Sequence, residues 1–200
     1  MTDAGGVRAF LAVPPDPGWV ESARALLGRA RPELPEASWT RPESWHLTLR
    51  FLGELSRERL SRFAASIDEA VRNLSACDLS TRGAVVFPPR GPARVVGAGF
   101  AEDSGSAALS DLAGEAEACA RRIGLEPQRR PFHPHVTFAR LRRPWPAGAV
   151  ARFREETDGW GFPVWPVRSC VLYESVLARE GAIHTAAGQW ALPAPEGISA

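Results

Sequence analysis

Four of the 200 residues are histidine, and two of them open the same short pattern: His46-Leu47-Thr48 and His135-Val136-Thr137. Residues i and i+2 of a β-strand lie on one face. Each segment can therefore present an imidazole beside a hydroxyl, with Leu47 or Val136 packed behind. Two such strands facing each other surround a small anion with two imidazoles and two hydroxyls. Hydrolysis of a phosphodiester needs a base for the incoming water, an acid for the leaving oxygen, and donors for the non-bridging oxygens. Imidazoles supply acid and base near neutrality, an unperturbed histidine having a pKa of about 6.5. The threonine hydroxyls supply donors, and a nearby arginine can make a forked contact with the phosphoryl group. One His-x-Thr is weak evidence; its repetition, using half of the histidines, carries the reading.

A strained 2′,3′-cyclic phosphate needs no metal for this chemistry, and no further histidine or carboxylate cluster stands at ligand spacing. No metal and no cofactor are expected. A zinc site built from His46, His133 and His135 is the alternative, and it lacks the usual ligand motifs. Pro131 and Pro134 around His133 mark it as structural, and His184 has no partner in the sequence. Tryptophans such as Trp45 and Trp190 read as packing residues, and Glu155-Glu156 as solvated helix surface.

Composition excludes other classes. All 24 basic residues are arginine, so no phosphate-binding lysine, Schiff base or lysyl-nucleotide intermediate can form, which removes an ATP-driven ligase. A net charge of +1 argues against wrapping long nucleic acid. The charge is uneven, however. Arg121, Arg122, Arg129, Arg130, Arg140, Arg142 and Arg143 surround the second motif against Glu126 alone, a rim that would attract anions. Cys77, Cys119 and Cys170 are scattered and read as reduced thiols of a cytoplasmic protein. Met1–Gly6 has neither the basic start nor the apolar run of a secretory leader, and no stretch suits a membrane span.

The positioning elements follow from periodicity. Val7 to Val13 reads as a strand, and Asp16-Pro17 opens a helix with Val20, Ala23, Leu26 and Leu27 at helical spacing. A Pro-rich connection leads to a strand from Trp45 to Leu52, ended by Gly53. Simple alternation puts His46, Thr48 and Arg50 on one face, and Leu47, Leu49 and Phe51 on the other. Ser56 caps a helix carrying Leu60, Phe63, Ala64, Ile67, Ala70 and Val71. Strands are expected at 84–87 and 94–100, then a helix over about 107–123 capped by Ser104 or Ser106. After the His135 strand come a short helix near 148–156 and strands near 164–176 and 184–192, joined as a hairpin around Glu180-Gly181. Strand–helix–strand–helix occurs twice, each pass with one His-x-Thr strand, which predicts an internal duplication. The fold class expected is α+β: one domain over residues 1–200, made of two pseudo-symmetric lobes. Two antiparallel-rich β-sheets would face each other across a central cleft, with the helices outside.

Two longer blocks, His46-Leu-Thr-Leu-Arg-Phe-Leu-Gly53 and Arg130-Pro-Phe-His-Pro-His-Val-Thr-Phe-Ala-Arg140, resemble the signature blocks of the 2H phosphoesterases. Within that superfamily they resemble the bacterial and archaeal RNA 2′,3′-cyclic phosphodiesterases, also called LigT-like 2′-5′ RNA ligases. The opening Arg8-Ala-Phe10 and closing Gln189-Trp-Ala-Leu192 are similar too. The resemblance implies a bilobal fold with a pseudo-twofold axis and metal-independent hydrolysis of RNA 2′,3′-cyclic phosphate ends to 2′-phosphate, with reversible ATP-independent 2′-5′ ligation as an accompanying activity. It implies His46 as proton donor to O3′, His135 as proton acceptor from water, and Thr48 and Thr137 as phosphate holders. Arg140 would contact the phosphate or stack on the base, and Phe10 and Phe51 are candidates for base stacking. Because the two motifs are symmetric, the residues alone leave the acid/base direction open. The implied partners are RNA 3′ ends or nucleotides bearing the cyclic phosphate, with no membrane, no obligatory protein partner and a monomeric chain. The alternatives are a non-catalytic RNA-end or nucleotide-binding module, and a phosphodiesterase for another cyclic phosphate such as that of ADP-ribose.

Overall fold

The computed structural model describes residues 6–178 and 181–194. The turn expected around Glu180 lies outside the described residues, as does most of the Met1–Gly6 segment. In chain order the elements are β1 (Val7–Val13), α1 (Pro17–Ala30), β2 (Ser38–Trp39), β3 (Leu47–Leu55), α2 (Arg57–Ala70), β4 (Cys77–Leu79) and β5 (Thr81–Phe87). There follow β6 (Val95–Phe100), α3 (Ser104–Arg122), β7 (His135–Arg140), α4 (Ala147–Asp158), β8 (Trp165–Val167), β9 (Ser169–Ala178) and β10 (Gly181–Ala191). Among the described residues no helix is long and apolar enough to cross a membrane.

The helices begin where side chains can satisfy their free N–H groups. Asp16 accepts from the Trp19 amide at 3.1 Å and Ser56 from the Arg59 amide at 3.3 Å. α3 starts earlier than its apolar spacing predicts. Its cap is Asp103, which accepts from the Ser106 amide at 3.0 Å, and not either serine.

The fold is α+β, with antiparallel pairing throughout. One wing runs β10-β9-β1-β3 and the other β7-β6-β5, with β2 added on β7; β4 and β8 form a separate two-stranded sheet. Among the described residues the wings join in the sheet through a single strand pair, Leu47 with Val136. Those are the central residues of the two His-x-Thr motifs, and both are fully buried. The motifs thus lie at the seam, and the strands part on either side of it.

Aromatic rings fill the core beneath the seam. Trp19, fully buried, stacks on Phe162 at 5.4 Å and meets Trp165, Phe138 and Trp45 at 5.1–6.2 Å. Its indole N–H donates to Thr81 Oγ1 at 2.7 Å, so its polar atom is satisfied. The tryptophans read as packing residues do pack here, and Trp45 lies directly before the first motif.

Two differences from simple alternation matter for the site. β3 does not end at Gly53 but continues to Leu55, Gly53 adopting a φ of 73°, a left-handed conformation that glycine accommodates at a β-bulge. The β1–β3 register also skips Leu49, pairing Ala12 with Thr48 and Leu11 with Arg50. That extra residue reverses the faces of the next two positions. Arg50 turns inward and is 7% exposed, while Phe51 turns outward and is 53% exposed.

Candidate active site

The imidazoles of His46 and His135 are fixed in the same way. His46 Nδ1 lies 2.8 Å from the Ser44 carbonyl oxygen, and His135 Nδ1 lies 2.8 Å from that of His133. A carbonyl only accepts, so Nδ1 carries the proton and donates in both rings. Nε2 is left as the free ring nitrogen, able to take a proton when neutral and to give one when charged. His133, read as structural, serves His135 through its main chain.

Antiparallel register around Leu47 and Val136 sets His46 beside Thr137 and Thr48 beside His135 on one face. Among the described residues neither the Thr48 nor the Thr137 hydroxyl is taken up by a hydrogen bond. A further clamp holds the seam. The Thr40 hydroxyl lies 2.7 Å from the Thr137 carbonyl oxygen and 2.9 Å from that of Phe138, and it accepts from the Trp45 indole N–H at 2.9 Å. The residue before one motif is therefore tied to the backbone of the other.

The bulge of β3 has a counterpart in β7. There the β6–β7 register skips Phe138, pairing Gly97 with Thr137 and Val96 with Ala139. Leu49 and Phe138 stand at the same place, three residues after their histidines. Each bulge returns the residue five beyond the histidine to the site face: Phe51 in one wing, Arg140 in the other. Alternation predicted that Phe51 points away from His46; the bulge corrects this. Arg50, predicted beside His46 and Thr48, instead makes an ion pair with Glu117 at 2.6 Å and donates to the carbonyl oxygens of Phe51 and Glu126 at 2.6 and 2.7 Å. It anchors the bulge from behind.

Phe10 is a buried floor, not a free stacking surface. It is 3% exposed, with His46 at 4.6 Å, Tyr173 stacked at 5.3 Å and His184 edge-on at 4.9 Å. Sequence reasoning gave His184 no role, yet its ring also meets His46 edge-on at 5.2 Å. Its Nδ1 is buried and has no hydrogen-bond partner among the described residues. Phe87, also missed, packs edge-on against His135 at 4.9 Å. None of these carries a local sequence signal, because each reaches the site through pairing of distant strands.

Burial sets the electrostatics. It pushes the His46 pKa down to about 4; the Ser44 hydrogen bond opposes this, and the charges of His184, His135 and Arg140 add to it. Burial also lowers the pKa of His135, against its hydrogen bond to His133 and with help from Arg140 and His133. His184 is lowered by burial. Arg140 is exposed and, among the described residues, makes no ion pair; its charge is felt at both motif histidines. Also among the described residues, no group of three or more His, Cys, Asp or Glu side chains is arranged to hold a metal ion.

Comparison with known proteins shows the family and the fold. A family model described as LigT like Phosphoesterase matches the chain twice, over residues 13–97 and 100–184. The RNA 2′,3′-cyclic phosphodiesterase of Methanothermobacter thermautotrophicus is 28% identical over 179 residues, which span 90% of this chain and 95% of that protein. The protein of the same name from Archaeoglobus fulgidus is 30% identical over 183 residues, 89% and 96% of the two chains. Among solved structures, E. coli LigT complexed with 3′-AMP is similar with a TM-score of 0.72 and 25% identity, covering 94% of this chain and 99% of that one.

Proposed function

The chain belongs to the LigT-like phosphoesterase family, and from that premise we propose that it is an RNA 2′,3′-cyclic phosphodiesterase, opening the cyclic phosphate at an RNA 3′ end to a 2′-phosphate. The observation that carries this reading is the pair of His-x-Thr strands meeting at one seam, each imidazole held at Nδ1 by the carbonyl two residues before it.

In the step this geometry supports, neutral His135 takes a proton from water through Nε2 as the water oxygen attacks phosphorus. The P–O3′ bond breaks, and His46, protonated, gives its proton to O3′. Thr48 and Thr137 donate to the non-bridging oxygens, and the Arg140 guanidinium offsets the charge that builds on them. Donors and acceptors for every moving proton come from the chain. With the 5′-hydroxyl of a second RNA in place of water, the same attack breaks P–O3′ and joins the RNA ends by a 2′-5′ bond without ATP.

Unlike the histidines and threonines, Phe51 and Arg140 are not equivalent, and this favours a direction. An exposed phenyl ring suits a nucleobase, and a guanidinium suits a phosphoryl group. A nucleoside resting on the Phe51 wing brings its O3′ toward His46. That supports His46 as donor and His135 as acceptor.

The double family match supports one domain of two duplicated lobes. A reducing, cytoplasmic setting fits cysteines that are free thiols, Cys119 and Cys170 buried. The test is incubation of the protein with an oligoribonucleotide ending in 2′,3′-cyclic phosphate, in the presence of a chelator, followed by identification of the product. A 2′-phosphate is expected, with activity lost in both His46→Ala and His135→Ala. Absence of turnover, or a 3′-phosphate product, overturns the assignment.

A further inference from the structure

Beside the seam the second wing is open. On β6, Gly99 pairs with His135 and Gly97 with Thr137, so β6 puts no side chain on the site face beside those two residues. A groove of about 650 Å³ lies there, bounded by β5, β6, the first turns of α3 and residues 132–134. Its volume falls in the range of small-ligand clefts, about 300–1,000 Å³. Phe87 belongs to both sites: it lines the groove, and its ring packs edge-on against His135 at 4.9 Å. Phe132 and Phe100 add aromatic surface, and Arg82 and Arg154 add charge.

Two stretches of chain beside the groove carry no carboxylate. Residues 81–101 and 127–154 contain ten arginines and no aspartate or glutamate. Among the described residues only Arg152 of these makes an ion pair, with Glu33 at 3.2 Å. Two carboxylates outside these segments, Glu102 and Asp103, also line the groove; that of Asp103 is engaged by the Ser106 amide as the α3 cap. Rings interleaved with unpaired guanidinium groups form a surface for a single nucleic-acid strand, the rings taking bases and the cations taking phosphates.

We propose that this groove binds the RNA chain itself, as a subsite for nucleotides 5′ to the cyclic end. The inference rests on the cyclic phosphodiesterase reading for its substrate, but not for its existence. A cyclic mononucleotide fills only the seam, whereas a longer strand also occupies the groove and gains one stacked base and one or more phosphate contacts.

The experiment compares a 2′,3′-cyclic mononucleotide with an oligoribonucleotide ending in the same nucleotide. The proteins are the wild type, Ala107→Trp, which fills the groove from an exposed position on α3, and the double variant Arg82→Glu/Arg154→Glu, both positions exposed. Wild type is expected to favour the oligonucleotide in kcat/KM by roughly tenfold or more. Each variant should lose that preference while turning over the mononucleotide within about twofold of wild type. The preference should also fall as salt rises, and less steeply in the double variant. Equal kcat/KM for both substrates in wild type, or a preference that survives both variants, overturns the groove and leaves the phosphodiesterase reading standing. If wild type hydrolyses neither substrate, that reading fails instead. Binding of the fluorescently labelled oligonucleotide, followed by anisotropy, then decides the groove: weaker binding by both variants supports it, and unchanged binding overturns it.

Discussion

The two motif histidines are held in a state that an exposed imidazole would not share. Burial moves His46 to about 4 and keeps His135 below its ordinary value, so at neutral pH both rings are uncharged in the empty site. The proton donor must gain its proton as the anionic substrate arrives, because a nearby negative charge favours the imidazolium. Since kcat/KM reports the free enzyme and kcat the complex, both limbs of the kcat/KM bell should lie on the acid side of about pH 6.5, with kcat displaced to higher pH. Steady-state rates across the acid and neutral range check this; a kcat/KM bell centred in the alkaline range contradicts it. The same shift acts on folding. Between the folded value of about 4 for His46 and the ordinary value of about 6.5, the unfolded chain binds more protons than the folded one. Stability is therefore complete above that window and declines as pH falls through it. Urea unfolding at about pH 7.5 and about pH 5 should find a smaller acid loss in His46→Gln than in wild type, and an equal loss would show that burial of His46 is not what costs stability. That the two motifs would come together, imidazoles beside hydroxyls, was legible from the sequence alone. His184 was not, since its place beside His46 depends on β10 folding back along β9.

At the scale of elements, the bulges decide what the motif strands present. Skipping Leu49 and Phe138 brings Phe51 and Arg140 back to the site face, and alternation misplaced Phe51 and Arg50 because a bulge is a property of two paired strands. Arg140 was found through a family pattern, not through periodicity. Most strands and helices were readable, with errors where a side-chain cap or a short pairing decides: Asp103 at α3, Ser38–Trp39 inside a connection expected to be irregular, Cys77–Leu79 where no strand was expected, and the division of the strand expected near 164–176 into β8 and β9. The β7 bulge depends on close approach by β6. A Cβ placed on Gly97 would lie 2.0 Å from the Val136 carbonyl oxygen, a backbone atom at the centre of the second motif. Gly97→Ala must therefore displace β7, and an ångström-scale displacement of a motif strand is expected to lower kcat/KM about 100-fold. Gly114→Ala on α3 is the control, because a Cβ there would meet nothing within 4 Å; alanine should leave activity intact and raise stability by about 0.5–1 kcal/mol. Equal activity of the two variants would mean that the seam tolerates movement of β7.

The whole molecule is two wings that share one residue pair and place equivalent groups on either side of it. Such symmetry hides the direction of proton transfer, which is why the sequence left it open. The symmetry breaks at the bulged positions, phenyl in one wing and guanidinium in the other, and the substrate is itself asymmetric: the leaving O3′ belongs to a ribose that carries a base, whereas the attacking water carries nothing. In the mechanism proposed above, a nucleoside placed by Phe51 sets O3′ on the His46 side and leaves His135 to the water. This division of roles is open to a sharp test. Replacing the bridging O3′ with sulfur gives a leaving group that departs as thiolate and has little need of a general acid. His46→Ala should then recover most of the activity it loses on the oxygen substrate, while His135→Ala, deprived of the base that activates water, should remain as slow as before. Reversed recovery would exchange the two roles without disturbing the rest of the mechanism. Recovery in both variants or in neither would mean that the two imidazoles do not divide the proton transfers between them.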